Sequence, residues 1–168
     1  MTGPAAFCKV FAIMRTTASG ADQQRARAVV TGAGHAWTRP RAAVVRVLTA
    51  TVRPLKVEEI HDRLAQSPDG RGTNLSSVYR TVNLFRALGV VRRVQFGDGP
   101  LRYELADAFR AHHHHFVCEG CGRVEDVRRC PLEGADLGIA IRSHHLELFG
   151  LCRRCAPAEG TGRVRVRV

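Results

Sequence analysis

The sequence predicts an α+β chain in two parts: an N-terminal winged helix-turn-helix, then a small α/β half stapled by zinc. Three observations predict it. Helix-periodic segments between residues 38 and 88 are followed by two β-prone runs joined by Gly97-Asp98-Gly99-Pro100, the element order of a winged helix. Two C-x-x-C pairs, Cys118/Cys121 and Cys152/Cys155, stand in the second half. The basic excess is uneven: residues 36–106 carry twelve Arg/Lys against six Asp/Glu, whereas residues 107–160 carry seven against eight.

Taken in order, residues 1–21 read as a flexible arm. Residues 22–31 can form a short helix with Asp22 as N-cap, broken by Gly32-Ala33-Gly34. Thr38-Arg39-Pro40 opens a second helix, Pro40 being tolerated in a first turn, with Val44, Val45, Val47 and Leu48 as its apolar stripe. A third helix runs from about Lys56 to Gln66 with Val57, Ile60 and Leu64 on one face. Residues 67–72 are a loop. A fourth helix runs from about Leu75 to Ala87, burying Val78, Val82, Phe85 and Leu88, and Gly89 stops it. Val90 to Phe96 and Leu101 to Leu105 then form a hairpin, for which Asp-Gly is a strong turn signal. The winged-helix domain therefore spans 22–106, a hinge 107–111 and the metal-binding domain 112–157. That domain has His/Cys-rich strands, a helix around 131–142 and a strand over His145 to Phe149. Residues 158–168 read as a disordered basic tail.

The net charge of +11, concentrated in the first half and the two ends, suggests a polyanion partner. No window approaches the roughly 20 apolar residues of a membrane span. Residues 1–14 lack a convincing charged start and cleavage site, so the expected compartment is the cytoplasm. In that reducing setting, clustered cysteines serve metal more often than disulfides.

Four thiolates from Cys118, Cys121, Cys152 and Cys155 can close a tetrahedral zinc site with no open position, a structural staple for a small half-domain. Cys8 reads as incidental. Cys130 reads as a buried small residue in preference to a ligand. His112-His113-His114-His115 precedes Phe116-Val117-Cys118. On a strand, alternate side chains face opposite ways, so His112 and His114 serve one face and His113 and His115 the other. One segment can thus feed two metal sites, with Glu104, Asp126, Glu133 and His144 as further donors by position.

Leu75-Ser-Ser-Val-Tyr-Arg-Thr-Val82, Tyr103-Glu104-Leu105, His112 to Cys118, Cys121-Gly-Arg-Val, His144 and Phe149-Gly-Leu-Cys152-x-x-Cys155 together resemble the ferric uptake regulator family. The match covers roughly residues 22–156, in order and with near-standard spacing. The resemblance implies a C-terminal dimerisation domain, and a homodimer that represses transcription by binding AT-rich palindromic operators in double-stranded DNA when loaded with metal. It implies structural zinc on Cys118, Cys121, Cys152 and Cys155, and a regulatory divalent metal on Glu104, His113 and His115 with Asp126 as a further ligand. It implies a second metal site on His112, His114, Glu133 and His144. Several features depart from the family pattern, among them a hinge about two residues longer and Ala36 where a basic residue is common, with Arg39 or Arg41 able to serve instead, and two that bear on the metal sites. The sensory ligand usually supplied by the first half falls at Pro54, which has no donor, leaving His35, His61 and Asp62 as substitutes. His114 stands where many members have an acid.

Tyr79 and Arg80 match the family's DNA-contacting pair. The tyrosine ring can pack on a thymine methyl, and the arginine can reach base acceptors or phosphate. Ser76, Ser77 and Thr81 can hold phosphates or simply cap the helix. Arg92 and Arg93 in the wing are expected backbone contacts. Cys130-Pro131 and His114 are similar to the zinc uptake regulator branch, so zinc is expected ahead of iron, with manganese- and peroxide-responsive regulators as further alternatives. A zinc-dependent hydrolytic enzyme is the rival of another class, but no H-E-x-x-H or H-x-E…P-C-x-x-C signature is present. A zinc-ribbon interaction protein without DNA binding is disfavoured by the basic first half and the helix–hairpin order.

Overall fold

In the computed structural model, residues 20–130, 132, 133, 138 and 144–157 are described. The chain divides into two compact units, one within Met1–Gln95 and Gly99–Arg110, the other within Phe96–Asp98 and Ala111–Val168.

Apolar side chains at helical spacing build the first unit. Residues 20–32 are helical (α1), followed by α2 (Arg39–Ala50), α3 (Val57–Ala65) and α4 (Leu75–Ala87). Ala26 and Val30 of α1, Val44, Val45 and Leu48 of α2, Ile60 and Leu64 of α3 and Val78, Val82 and Phe85 of α4 all enter one core, and Trp37 stacks on Phe85 at 6.2 Å. Burial of this apolar area, at about 25 cal/mol per Å2, is what holds helices of such modest length in place.

Local chemistry sets the helix ends. Pro40 lies in the first turn of α2, where its missing N–H costs nothing. The Glu59 carboxylate accepts a hydrogen bond from the Lys56 backbone N–H at the head of α3. The Asn74 side chain caps α4 by accepting from the Ser77 N–H at 2.8 Å. One expected cap fails. The first helix already runs at residue 20, two residues before Asp22, so Asp22 lies inside α1, buried and paired with Arg25 at 2.5 Å. Residues 20 and 21, expected in the arm, belong to that helix.

The helices are followed by β1 (Val91–Val94) and β2 (Arg102–Leu105), antiparallel from Val91↔Leu105 to Val94↔Arg102. Leu55, just before α3, makes a two-way backbone bridge to Tyr103 at 2.9 and 2.7 Å. This third contributor to the wing sheet was not evident from a single apolar residue after Pro54.

The second unit holds a three-stranded sheet of order β4-β3-β5, from β3 (His114–Cys118), β4 (Val124–Val127) and β5 (Glu147–Gly150). β3 pairs antiparallel with β4 and parallel with β5. The last strand starts two residues later than expected, at Glu147. The helix expected around 131–142, the arm at 1–19 and the tail at 158–168 fall outside the described residues, apart from Leu132, Glu133 and Gly138.

Candidate metal centres

The sheet of the second unit sets the first centre. β3 ends at Cys118, which lies beside Gly150 of β5 in the parallel register. Each strand therefore delivers its C-x-x-C turn to the same end of the sheet. Ligand atoms of Cys118, Cys121, Cys152 and Cys155 all lie within 4.8 Å of one another, with Cys121 Sγ and Cys152 Sγ 3.8 Å apart. Zinc–sulfur bonds of about 2.3 Å in a tetrahedron place sulfurs about 3.8 Å apart, so the spacing fits the ion. The turns are close-packed. A Cβ on Gly120 would lie 2.9 Å from the Cys155 Cβ, and Gly122 has φ +67, a conformation that favours glycine.

Hydrogen bonding splits the acidities of Cys118 and Cys155. The Cys152 N–H donates to Cys118 Sγ at 3.2 Å, and this contact lowers the Cys118 thiol to about 6. Hydrogen bonding with Cys121, Cys152 and Cys118 pushes Cys155 up to about 12. Cys118 thus loses its proton readily, whereas hydrogen bonding within the cluster holds the proton on Cys155.

The histidine run divides as strand alternation requires. His112 and His114 rings sit 4.5 Å apart, and His113 and His115 rings 5.0 Å apart. His113, His114 and His115 are all buried. On the second pair's side, Asp126 lies opposite His115 in the β3–β4 register, with its Oδ1 4.0 Å from His115 Nε2. His113 Nδ1 is 2.9 Å from the Ala111 carbonyl, so the proton on that nitrogen donates to the carbonyl and Nε2 is left as a ligand atom.

On the other side, His112 Nε2 and His114 Nε2 are 3.1 Å apart, and the His144 ring lies 4.7 Å from His112 and 5.1 Å from His114. Burial, reinforced by the neighbouring imidazoles, lowers His114 to about 4, which keeps it neutral and ligand-ready at physiological pH. Glu133, expected in this set, is exposed on the turn after Cys130 and is absent from the donor cluster. Cys130 is the fourth member instead, with Sγ 3.1 Å from His144 Nε2. Cys130 is half-buried, where the sequence favoured a buried small residue, and its thiol lies beside the His144 ring.

Glu104 belongs to the first unit. It is 1% exposed on β2 and held by Arg92, at 2.5 Å, and by Arg110, at 3.3 Å. Arg92, expected to contact a DNA backbone, is thus engaged with an acid across the hairpin, whereas Arg93 is exposed. His35 and His61 join no donor cluster among the described residues.

On α4, Tyr79 and Arg80 are exposed, and Ser76 is exposed as well. The Tyr79 hydroxyl donates to Glu58 at 2.5 Å, which lowers the Glu58 carboxyl. Arg80 donates to Ser77 Oγ at 3.2 Å. Thr81, expected among the outward-facing residues, is buried at 7% exposure on the stripe with Val78, Val82 and Phe85. Its place one helical turn before Phe85 carries it to the core side. Arg71, not anticipated from the sequence, lines a depression with Arg39, Asn74 and Ser77 at the head of α4.

The model of the ferric uptake regulator family matches residues 32–149. The ferric uptake regulation protein of Bacillus subtilis is 36% identical over 126 residues, covering 70% of this chain and 83% of its own length. The peroxide-responsive repressor PerR of Staphylococcus aureus is 27% identical over 130 residues, covering 73% and 84%. The Helicobacter pylori ferric uptake regulator, a solved structure described as having three functional metal-binding sites, superposes with a TM-score of 0.69 at 25% identity, covering 84% of this chain and 96% of that one. Winged helix, paired C-x-x-C turns and alternating histidines thus agree with the sequence matches, and the chain belongs to the ferric uptake regulator family of metal-responsive transcription regulators.

Proposed function

We propose that this protein is a zinc-responsive repressor of metal-homeostasis genes, acting as a homodimer in the cytoplasm on AT-rich palindromic operators. Regulators of the family bind DNA as dimers. Cys118, Cys121, Cys152 and Cys155 hold a permanent zinc. Glu104, His113, His115 and Asp126 hold the regulatory ion, and His112, His114 and His144 contribute to a second. Tyr79, Arg80, Ser76 and Ser77 of α4 meet DNA, with Arg93 on the wing.

The observation that carries this reading is the contrast between donor sets within one small unit. One set is all sulfur and built on tight turns, suited to a staple. The histidines form nitrogen-rich sets, which suit zinc, iron, nickel and copper. A regulated ion must come and go, and its binding drives a switch only if the DNA-competent form binds it more tightly. Zinc is favoured by the nitrogen-rich character that His114 gives its set. An enzymatic role is disfavoured because no general base of a known zinc-hydrolase signature accompanies the histidines. Among the described residues, no helix is long and apolar enough to cross a membrane.

A gel shift on an AT-rich palindrome, with labile metal removed and each of zinc, iron(II) and manganese(II) then restored, tests the reading. Retardation should appear at the lowest free concentration with zinc. Equal retardation with and without metal would refute the switch, and a lower threshold for iron would refute the choice of ion.

A further inference from the structure

We propose that Cys130 is a metal ligand, completing a three-imidazole, one-thiolate site with His112, His114 and His144 in place of the acid Glu133. This rests on the reading above that these histidines bind an ion, and it names the fourth ligand and the class of ion selected.

The geometry is that of a ligand set. Donor atoms of His112, His114, Cys130 and His144 lie within 4.8 Å of one another. The Cys130 Sγ to His144 Nε2 and His112 Nε2 to His114 Nε2 separations are both 3.1 Å. Zinc with nitrogen bonds near 2.0–2.1 Å and a sulfur bond near 2.3 Å would set such edges at about 3.3 to 3.6 Å, a few tenths away. Glu133 points away from the role. Its backbone N–H donates to the Cys130 carbonyl at 3.2 Å, in a turn that leaves its side chain in solvent.

A thiolate in this set changes its chemistry. It supplies the one negative ligand that three neutral imidazoles lack, and it is a softer donor than the carboxylate it replaces. Sulfur favours zinc and cobalt over manganese and magnesium, which prefer oxygen. It also makes site occupancy readable at the sulfur, since a metal-bound thiolate is withdrawn from alkylation.

The test uses the full-length chain carrying one resident zinc per protomer. Iodoacetamide labelling with peptide mass mapping should show Cys130 modified in this one-zinc form and protected at least tenfold once further zinc saturates the chain. His114→Ala should abolish that protection. Cobalt(II) added to the one-zinc form should give thiolate-to-cobalt charge-transfer absorption that Cys130→Ser removes and Glu133→Gln leaves intact. Zinc affinity at this site should fall in Cys130→Ser by at least the roughly tenfold that loss of a ligand's hydrogen-bond partner costs, and stay unchanged in Glu133→Gln. Equal labelling of Cys130 with and without saturating zinc would overturn the assignment, as would a Glu133→Gln loss matched by an inert Cys130→Ser. Operator binding measured on the same samples separates the two readings: protection of Cys130 without metal-dependent retardation leaves the ligand assigned and refutes the switch.

Discussion

Arg92 and Glu104 face each other across the β1–β2 hairpin as register partners, and Arg92 Nη2 lies 2.5 Å from Glu104 Oε1. The pair gives a carboxylate with 1% exposure a cationic partner in the wing. Removing Arg92 leaves the buried carboxylate with Arg110 at 3.3 Å, so the cost is that of a lost charged hydrogen bond, about 1.5–3 kcal/mol. Arg92→Met should therefore destabilise the protein by about that much in urea unfolding, whereas the exposed Arg93→Met should cost less than about 0.5 kcal/mol. Equal effects would mean that Arg92 serves the surface and not the acid.

The four-thiol centre yields a second prediction. Cys118 is buried and receives the Cys152 N–H, so it anchors both turns. Cys118→Ser should lose the resident zinc, measured by elemental analysis, and with it the cooperative melting of the second unit. Gly120→Ala should weaken retention without changing any ligand, because the new Cβ would lie 2.9 Å from that of Cys155. Full zinc content and an unchanged melt in Cys118→Ser would remove the structural role.

A third prediction separates the residues of α4. Arg80 is exposed and Thr81 is buried beside the core. Arg80→Ala should cost about 1–3 kcal/mol of operator affinity if it reads a base, with relaxed preference at one position. Thr81→Val should leave affinity within about twofold. Fluorescence anisotropy on matched and substituted operators reads both, and a large loss in Thr81→Val with an intact fold would contradict its inward placement.

Tyr79 supplies a fourth. Its hydroxyl is held by Glu58, so the carboxylate stands beside a residue proposed to meet DNA. Glu58→Gln removes one negative charge from that face and should tighten non-specific DNA binding, most visibly at low salt, where the screening length is longest. An unchanged salt titration would show that Glu58 lies outside the DNA footprint.

The core gives the last. Phe85 is fully buried, and Trp37 stacks on it. Phe85→Ala should cost about 3–5 kcal/mol in denaturant unfolding, enough to threaten a small domain. A loss below about 1 kcal/mol would mean that the helices do not share this core.

Much of the first unit was legible in the residues. α4 runs over Leu75–Ala87 as its spacing predicted, because four apolar positions at helical period and Gly89 leave little choice. The cysteine set was legible for a different reason: two short-spaced pairs restrict one another through metal geometry whatever lies between them. Alternation along a strand likewise sorted the histidines into two faces. Asp22 shows the limit of such reasoning. An acid before an apolar run is a good cap, but only if the helix starts there, and the chain upstream decided otherwise.

By itself, then, the order of residues determined helices α2 to α4 and the wing hairpin, which thiols cluster and which histidines share a side, because each of these follows from local periodicity or pair spacing. Only the tertiary structure decided that Arg92 answers Glu104, that Thr81 turns inward and that Cys130, not Glu133, joins His144. Those outcomes depend on where distant strands and turns come to rest. A side chain's partner is set by distance in space, which sequence separation does not encode.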